Sequence, residues 1–122
     1  MDKKHDLCNN LGMRVGFKSN HLADENGNPT GGSTQGTGFT IAWQHGPLGR
    51  GEDRLAPNGA FVEDVIDAAL DRIRYMNSAN GGKFSCIENE RAIDMLSGAL
   101  ASLDQRTNRR EAASTEGTHT AE

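Results

Sequence analysis

SCIENERAIDMLSGALASLDQRTNRR, residues 85–110, decides how the chain reads. Ile93, Leu96, Leu100 and Leu103 recur there in steps of three and four, and Ala92 and Ala99 widen the same face, so the stretch predicts an amphipathic helix. Ser85 followed by Glu88 fits an S-x-x-E capping box, which starts the helix just after Ser85; its apolar line runs to about Arg110. Upstream, Val62, Val65, Ile66, Ala69, Ile73 and Met76 form a second stripe at helical spacing over about residues 59–77. Asn58 stands as its N-cap, and Glu63 and Asp64 fall in the first turns, where the positive end of a helix favours them. Gly81 and Gly82 stop it. Two helices separated by so few residues predict an antiparallel hairpin over residues 58–111.

Toward the N-terminus the period changes. Leu11, Met13, Val15 and Phe17 alternate with polar or glycine residues, the period of two of a half-buried strand, and Phe39, Ile41 and Trp43 do the same. Between them, residues 19–36 are rich in Asn, Gly, Ser and Thr and read as a long loop; residues 46–57 read as a second loop. Residues 1–10 read as a loose lead-in, and residues 112–122 have the composition of a disordered tail. The expected fold class is α+β, in a single domain spanning residues 1–122: a small N-terminal antiparallel β region over residues 11–57, then a C-terminal antiparallel helical hairpin.

Of the 122 residues, 34% are hydrophobic and 5% aromatic, a thin supply for burying a core of this size. A homo-oligomer that pairs sheets or hairpins across subunits is therefore expected. No apolar run approaches the roughly 18 residues of a membrane span, and the polar start lacks the apolar core of a signal peptide. Cys8 and Cys86 are far apart and have no metal-ligand spacing, so the reading is a reduced, cytoplasmic chain without a disulfide or zinc site. The net charge of -4 argues against a general DNA or RNA binder, yet nine of the thirteen basic residues are arginines, whose planar fork suits phosphate.

Catalytic patterns are missing from the sequence. His5, His21, His45 and His119 have no metal-binding spacing, and neither a nucleophile elbow, a P-loop nor a dinucleotide fingerprint occurs. Glu63 with Asp64, and Glu88 with Glu90, read as partners of helix dipoles. No enzyme and no cofactor is expected. The informative constellation lies on the second helix, where Arg106, Arg109 and Arg110 gather within five residues around Thr107, with Asn89 at the far end of the same line. One reading makes these arginines solvated cations that complement the helix C-terminus. The other makes them a phosphate-binding patch at a subunit boundary, with hydrogen bonding from Asn89 or Thr107.

Four motifs resemble a known family. WQ-x-GP at residues 43–47, NG-x-x-VED-x-I at 58–66, EN-x-x-AI-x-x-L at 88–96, and RT-x-x-R-E followed by EGTH within 106–119 are similar to phage-encoded Thoeris anti-defence sponges of the first Tad type. These share a helical hairpin with anti-CBASS cyclic-nucleotide sponges. The resemblance spans roughly residues 38–119. It implies a non-enzymatic protein of the infected host's cytoplasm that sequesters cyclic ADP-ribose isomers, and in some members cyclic di- or trinucleotides, in dimers or hexamers with ligands between subunits. It also implies Asn89 and Arg106 as ligand contacts, Phe84 as a ring that stacks on a base, and Arg50 and Arg54 as phosphate contacts from a neighbouring subunit. Ser114 and Thr115 depart from the Gly-Val pair expected before EGTH, and Ala113 replaces a basic residue. A phosphodiesterase that destroys the messenger, or a module that inhibits a host protein through its hairpin, are the alternatives.

Overall fold

The structure, a computed structural model, describes the backbone of residues 2–5 and all of residues 16–120. These fall into two compact units: residues up to Ala60 together with those from Gly117 onward, and Phe61–Glu116. Antiparallel strands followed by two packed helices make the chain α+β.

The first unit is a four-stranded antiparallel sheet in the order β1-β2-β3-β4, with β1 at Asp2–His5, β2 at Phe17–Ala23, β3 at Pro29–Gly36 and β4 at Phe39–Trp43. Alternation placed β4 correctly. Of the other expected strand only Phe17 falls in β2; Leu11, Met13 and Val15 lie outside the described residues. Residues 2–5, read as part of a loose lead-in, instead pair with β2. The loop expected over residues 19–36 is corrected to most of β2, a turn and β3. True turn chemistry is confined to residues 24–28, where the Asp24 carboxylate accepts from the amides of Asn26 and Asn28, both at 2.9 Å. The strands escape recognition because their inward face is polar. Ser19 and Thr34 are both buried and share a hydrogen bond of 2.8 Å, and Trp43 Nε1 donates to Thr34 Oγ1 at 2.8 Å. Glycines there serve close approach: a Cβ on Gly32 would strike the Asn20 carbonyl, and one on Gly36 would strike the Phe39 ring.

Beyond β4, Ala60 pairs with the strand in parallel, through Ala60 N to Ala42 O at 2.7 Å and Gln44 N to Ala60 O at 3.0 Å. Asn58 is not the helix cap. Its side-chain oxygen accepts from His45 N at 2.8 Å, while its own amide N–H donates to Gln44 Oε1 at 2.9 Å. The WQ and NG motifs therefore clasp each other. Gly59 completes the clasp, since a Cβ there would stand 2.5 Å from the Trp43 carbonyl oxygen. Residues 46–57 are irregular, as expected, apart from a 3-10 turn at Gly51–Asp53.

The second unit is the hairpin of α1 (Val62–Gly82) and α2 (Ile87–Ala112), which pack on each other. Phe61 occupies the α1 N-cap without a side-chain bond. Helical dihedrals give out at Ala79, Asn80 and Gly81, close to the stop read from the sequence. Leu70, only 2% exposed, anchors the packing, whereas Val62 and Met76 at the ends of the expected stripe are exposed. Val65, Ile66 and Ile73 of the expected stripe are half-buried, while Ala69 is exposed and the neighbouring Leu70 takes the buried position. On α2 the stripe is as expected, with Ile93, Leu96, Leu100 and Leu103 half-buried. The cap moves from Ser85 to Cys86, whose extended backbone lets its sulfur accept from Asn89 N at 3.4 Å. Cys86 N in turn donates to Asn77 Oδ1 at 3.3 Å, tying the connection to α1.

Candidate functional site

The candidate residues of the helical unit lie at two ends of α2. In its first turn, Asn89 is half-buried, and its Nδ2 donates to the Phe84 carbonyl at 3.3 Å. Phe84 is 61% exposed and carries Lys83 Nζ at 5.5 Å from its ring centroid. A second exposed ring, Tyr75 on α1, carries the Arg72 guanidinium at 5.2 Å. Sequence reading missed that pair, although Arg-x-x-Tyr spacing on a helix signals it.

At the other end, Arg106, Thr107 and Arg109 are exposed on the last turns of α2. Arg110 differs. It is 8% exposed, its Nη2 donates to the Thr115 carbonyl at 2.8 Å, and its own carbonyl accepts from Thr115 N at 2.8 Å and Glu116 N at 3.2 Å. One guanidinium of the three is thus spent on closing the helix, with Ser114 at positive φ reversing the chain. Asn89 and Arg106 are seventeen residue steps apart along the helix. At about 1.5 Å per residue they stand about 25 Å apart on one α2. Arg106 and Arg109 stand one turn apart on α2, Thr107 projects away from Arg109, and Asn89 meets Phe84 at the other end of the helix; the two ends do not meet within one chain.

In the sheet unit, Arg50 and Arg54 flank the 3-10 turn inside a loop closed by Leu55 N donating to Leu48 O at 2.7 Å. Arg54 Nη1 reaches the Gly49 carbonyl at 3.4 Å. The C-terminal EGTH segment, read as disordered from its composition, is ordered here. Gly49 N donates to Gly117 O at 2.7 Å, and His119 Nε2 lies 3.3 Å from the Pro29 carbonyl. The Asp24 carboxyl is held below the usual carboxylate range, chiefly by the Asn28 N–H and against an opposing desolvation, with smaller help from the Asn26 N–H, the Asn28 side chain and the charge of His119. Among the described residues no three His, Cys, Asp or Glu side chains gather into a metal-sized cluster, and no helix is long and apolar enough to cross a membrane.

An antiparallel sheet followed in the sequence by a helical hairpin, with exposed arginines on the last turns of the second helix, defines the class, an α+β protein. No family model matches the sequence. The chain is 36% identical over 80 residues to Thoeris anti-defense 1 of Bacillus phage SBSphiJ7, a match that takes in 66% of this chain and 51% of that protein. On that relationship the chain belongs to the Thoeris anti-defence 1 family. It spans about half the length of the curated relative it matches.

Proposed function

We propose that the chain is a phage anti-defence protein that binds cyclic nucleotide immune signals and withholds them unchanged, acting in the cytoplasm of the infected bacterial host. Cyclic ADP-ribose isomers of Thoeris immunity are the first ligand class; cyclic di- and trinucleotides of CBASS immunity are the second. The observation that carries this reading is the exposure of Arg106, Thr107 and Arg109 along one end of α2 in a member of an anti-defence family. Guanidinium forks pair with phosphate oxygens, the hydroxyl orients them, and Phe84 offers a ring to a base. Nothing in this scheme needs a bond to break, so the protein acts by stoichiometry and not by turnover.

One ligand touched by both Asn89 and Arg106 requires two copies of α2, because a single helix holds them too far apart. The outer face of α2 supports such pairing. Gly98 sits near the middle of the helix, exposed, and a Cβ there would meet nothing within 4 Å beyond its own helix. Glycine costs a helix roughly 1 kcal/mol relative to alanine, and close approach of another helix is a reason to keep it. An antiparallel copy related by a two-fold at Gly98 would set Glu90 opposite the second copy's Arg106 and Met95 opposite the second copy's Ala101. The same register sets Asn89 level with the second copy's Thr107.

Calorimetric titration against a panel of cyclic ADP-ribose isomers and cyclic di- and trinucleotides tests the function, followed by heating and chromatography of what is released. Intact ligand at about one to one with the sites supports sequestration. A cleaved product would assign a phosphodiesterase, and no heat with any member of the panel would leave a protein-directed inhibitor. Arg106→Ala should weaken binding by about tenfold or more, as loss of one charge-assisted phosphate contact predicts.

A further inference from the structure

The segment that the composition marked as a disordered end is fastened into the sheet unit at two points. Gly117 accepts the Gly49 amide, and His119 lies against the carbonyl of Pro29 at the start of β3. The first point falls inside the loop that carries Arg50 and Arg54. That loop has its own closure at Leu48 and Leu55, with Leu48 buried, and Arg54 N donates to Gly51 O at 3.2 Å within it. Gly117 has no room for a side chain. A Cβ there would strike the Gly49 carbonyl and would stand 3.2 Å from Arg54 Nη1, and its φ of +80° is one that L residues rarely adopt. The Arg54 guanidinium therefore lies against the tail backbone and reaches Gly49 O across it.

We propose that residues 117–120 are a positioning strap for an anion-binding loop: by holding Gly49 and backing the Arg54 guanidinium, they fix Arg50 and Arg54 to receive a phosphate of the bound messenger. This rests on the reading of the protein as a sponge, and it assigns the tail a role in affinity. An arginine held in one rotamer loses less entropy on binding than one that must be ordered by the ligand. Gly117 is thus a positioning residue that acts through Arg54.

Gly117→Ala, Arg54→Ala, the double variant, and a chain ending at Glu116 test the strap with two readouts. Hydrogen exchange at the Gly49 amide reports the strap alone; titration with the tightest-binding member of the cyclic nucleotide panel, at several salt concentrations, reports its consequence. Exchange at Gly49 should accelerate at least tenfold in G117A and in the shortened chain. Both should lose affinity to the same degree as R54A, with the same reduced salt dependence, and the double variant should be no weaker than R54A. Unchanged exchange at Gly49 overturns the strap. Additive losses in the double variant overturn its action through Arg54, as does an R54A protein that binds like the parent while R106A does not, an outcome that spares the function. A parent protein that binds no member of the panel overturns both. The shortened chain has no residue 117 to accommodate, so it keeps the test decisive if G117A fails to fold.

Discussion

Arg110 ends the apolar line of α2 and Arg106 and Arg109 flank it, and burial follows that division: two stay on the surface of α2 while Arg110 turns inward to bind the Thr115 carbonyl. Arg110→Ala should accordingly loosen the chain reversal at residues 113–116 and lower thermal stability by more than a change at the exposed Arg109 does; melting curves of the two alanine variants decide it. A similar contrast marks the glycines. Gly59 faces a backbone carbonyl that cannot swing aside, so Gly59→Ala should cost about 1–3 kcal/mol in urea unfolding. Asp24 adds a pH dependence. Its folded-state pKa is depressed, so its contribution is present above the unfolded value and is lost as pH falls through the folded one. The amide signals of Asn26 and Asn28 should therefore shift below about pH 4, and in an Asp24→Ala protein they should not. None of these residue fates is legible from type alone. Ser85 and Cys86 are adjacent candidates for one cap, and only the extended backbone at 86 decides between them.

Elements were legible in proportion to how strongly water sorts their side chains. Both helices and β4 carry apolar residues at one period and show through at once. β2 and β3 do not, because their shared inner face is held by hydroxyls, an indole N–H and close-set glycines, which look like loop in a composition. The α1 stripe holds at its centre, where Val65, Ile66 and Ile73 are half-buried, but Leu70 and not Ala69 is buried there, and Val62 and Met76 fit the period yet stand exposed at its ends. Leu70→Ala should cost about 2–4 kcal/mol, more than Met76→Ala, in chemical denaturation. On α2, Gly98→Ala separates a helix-propensity effect from an interface. It should raise the stability of the isolated chain by about 0.5–1 kcal/mol while weakening self-association, measured by sedimentation at several concentrations. A rise in stability with no change in association would refute the close approach proposed there.

At the scale of the molecule, only Leu48 and Leu70 are buried hydrophobic residues among those described, while Tyr75, Phe84, Ile87 and Met95 all stand exposed on the helical unit. The expectation drawn from 34% hydrophobic content, that single chains associate, is tested by light scattering at micromolar concentration, which should return a multiple of the monomer mass. The division of the candidate residues between the two ends of one helix was legible from their spacing; the burial of Arg110 against the Thr115 carbonyl was not, because its partner lies beyond the helix in a chain reversal.

The helical unit is enclosed in the sequence by the sheet unit, which the chain leaves after Ala60 and rejoins at Gly117. A processive protease moving along the chain from the C-terminal side of Gly117 would meet the Gly49–Gly117 fastening before it unwinds α2 and α1, and would reach β4 only after the whole hairpin had been consumed. One moving from the N-terminal side of β1 would peel that strand from the edge of the sheet before it reached β2. The two directions of attack should thus leave different resistant fragments, and the order in which they appear reads out how the polypeptide is threaded.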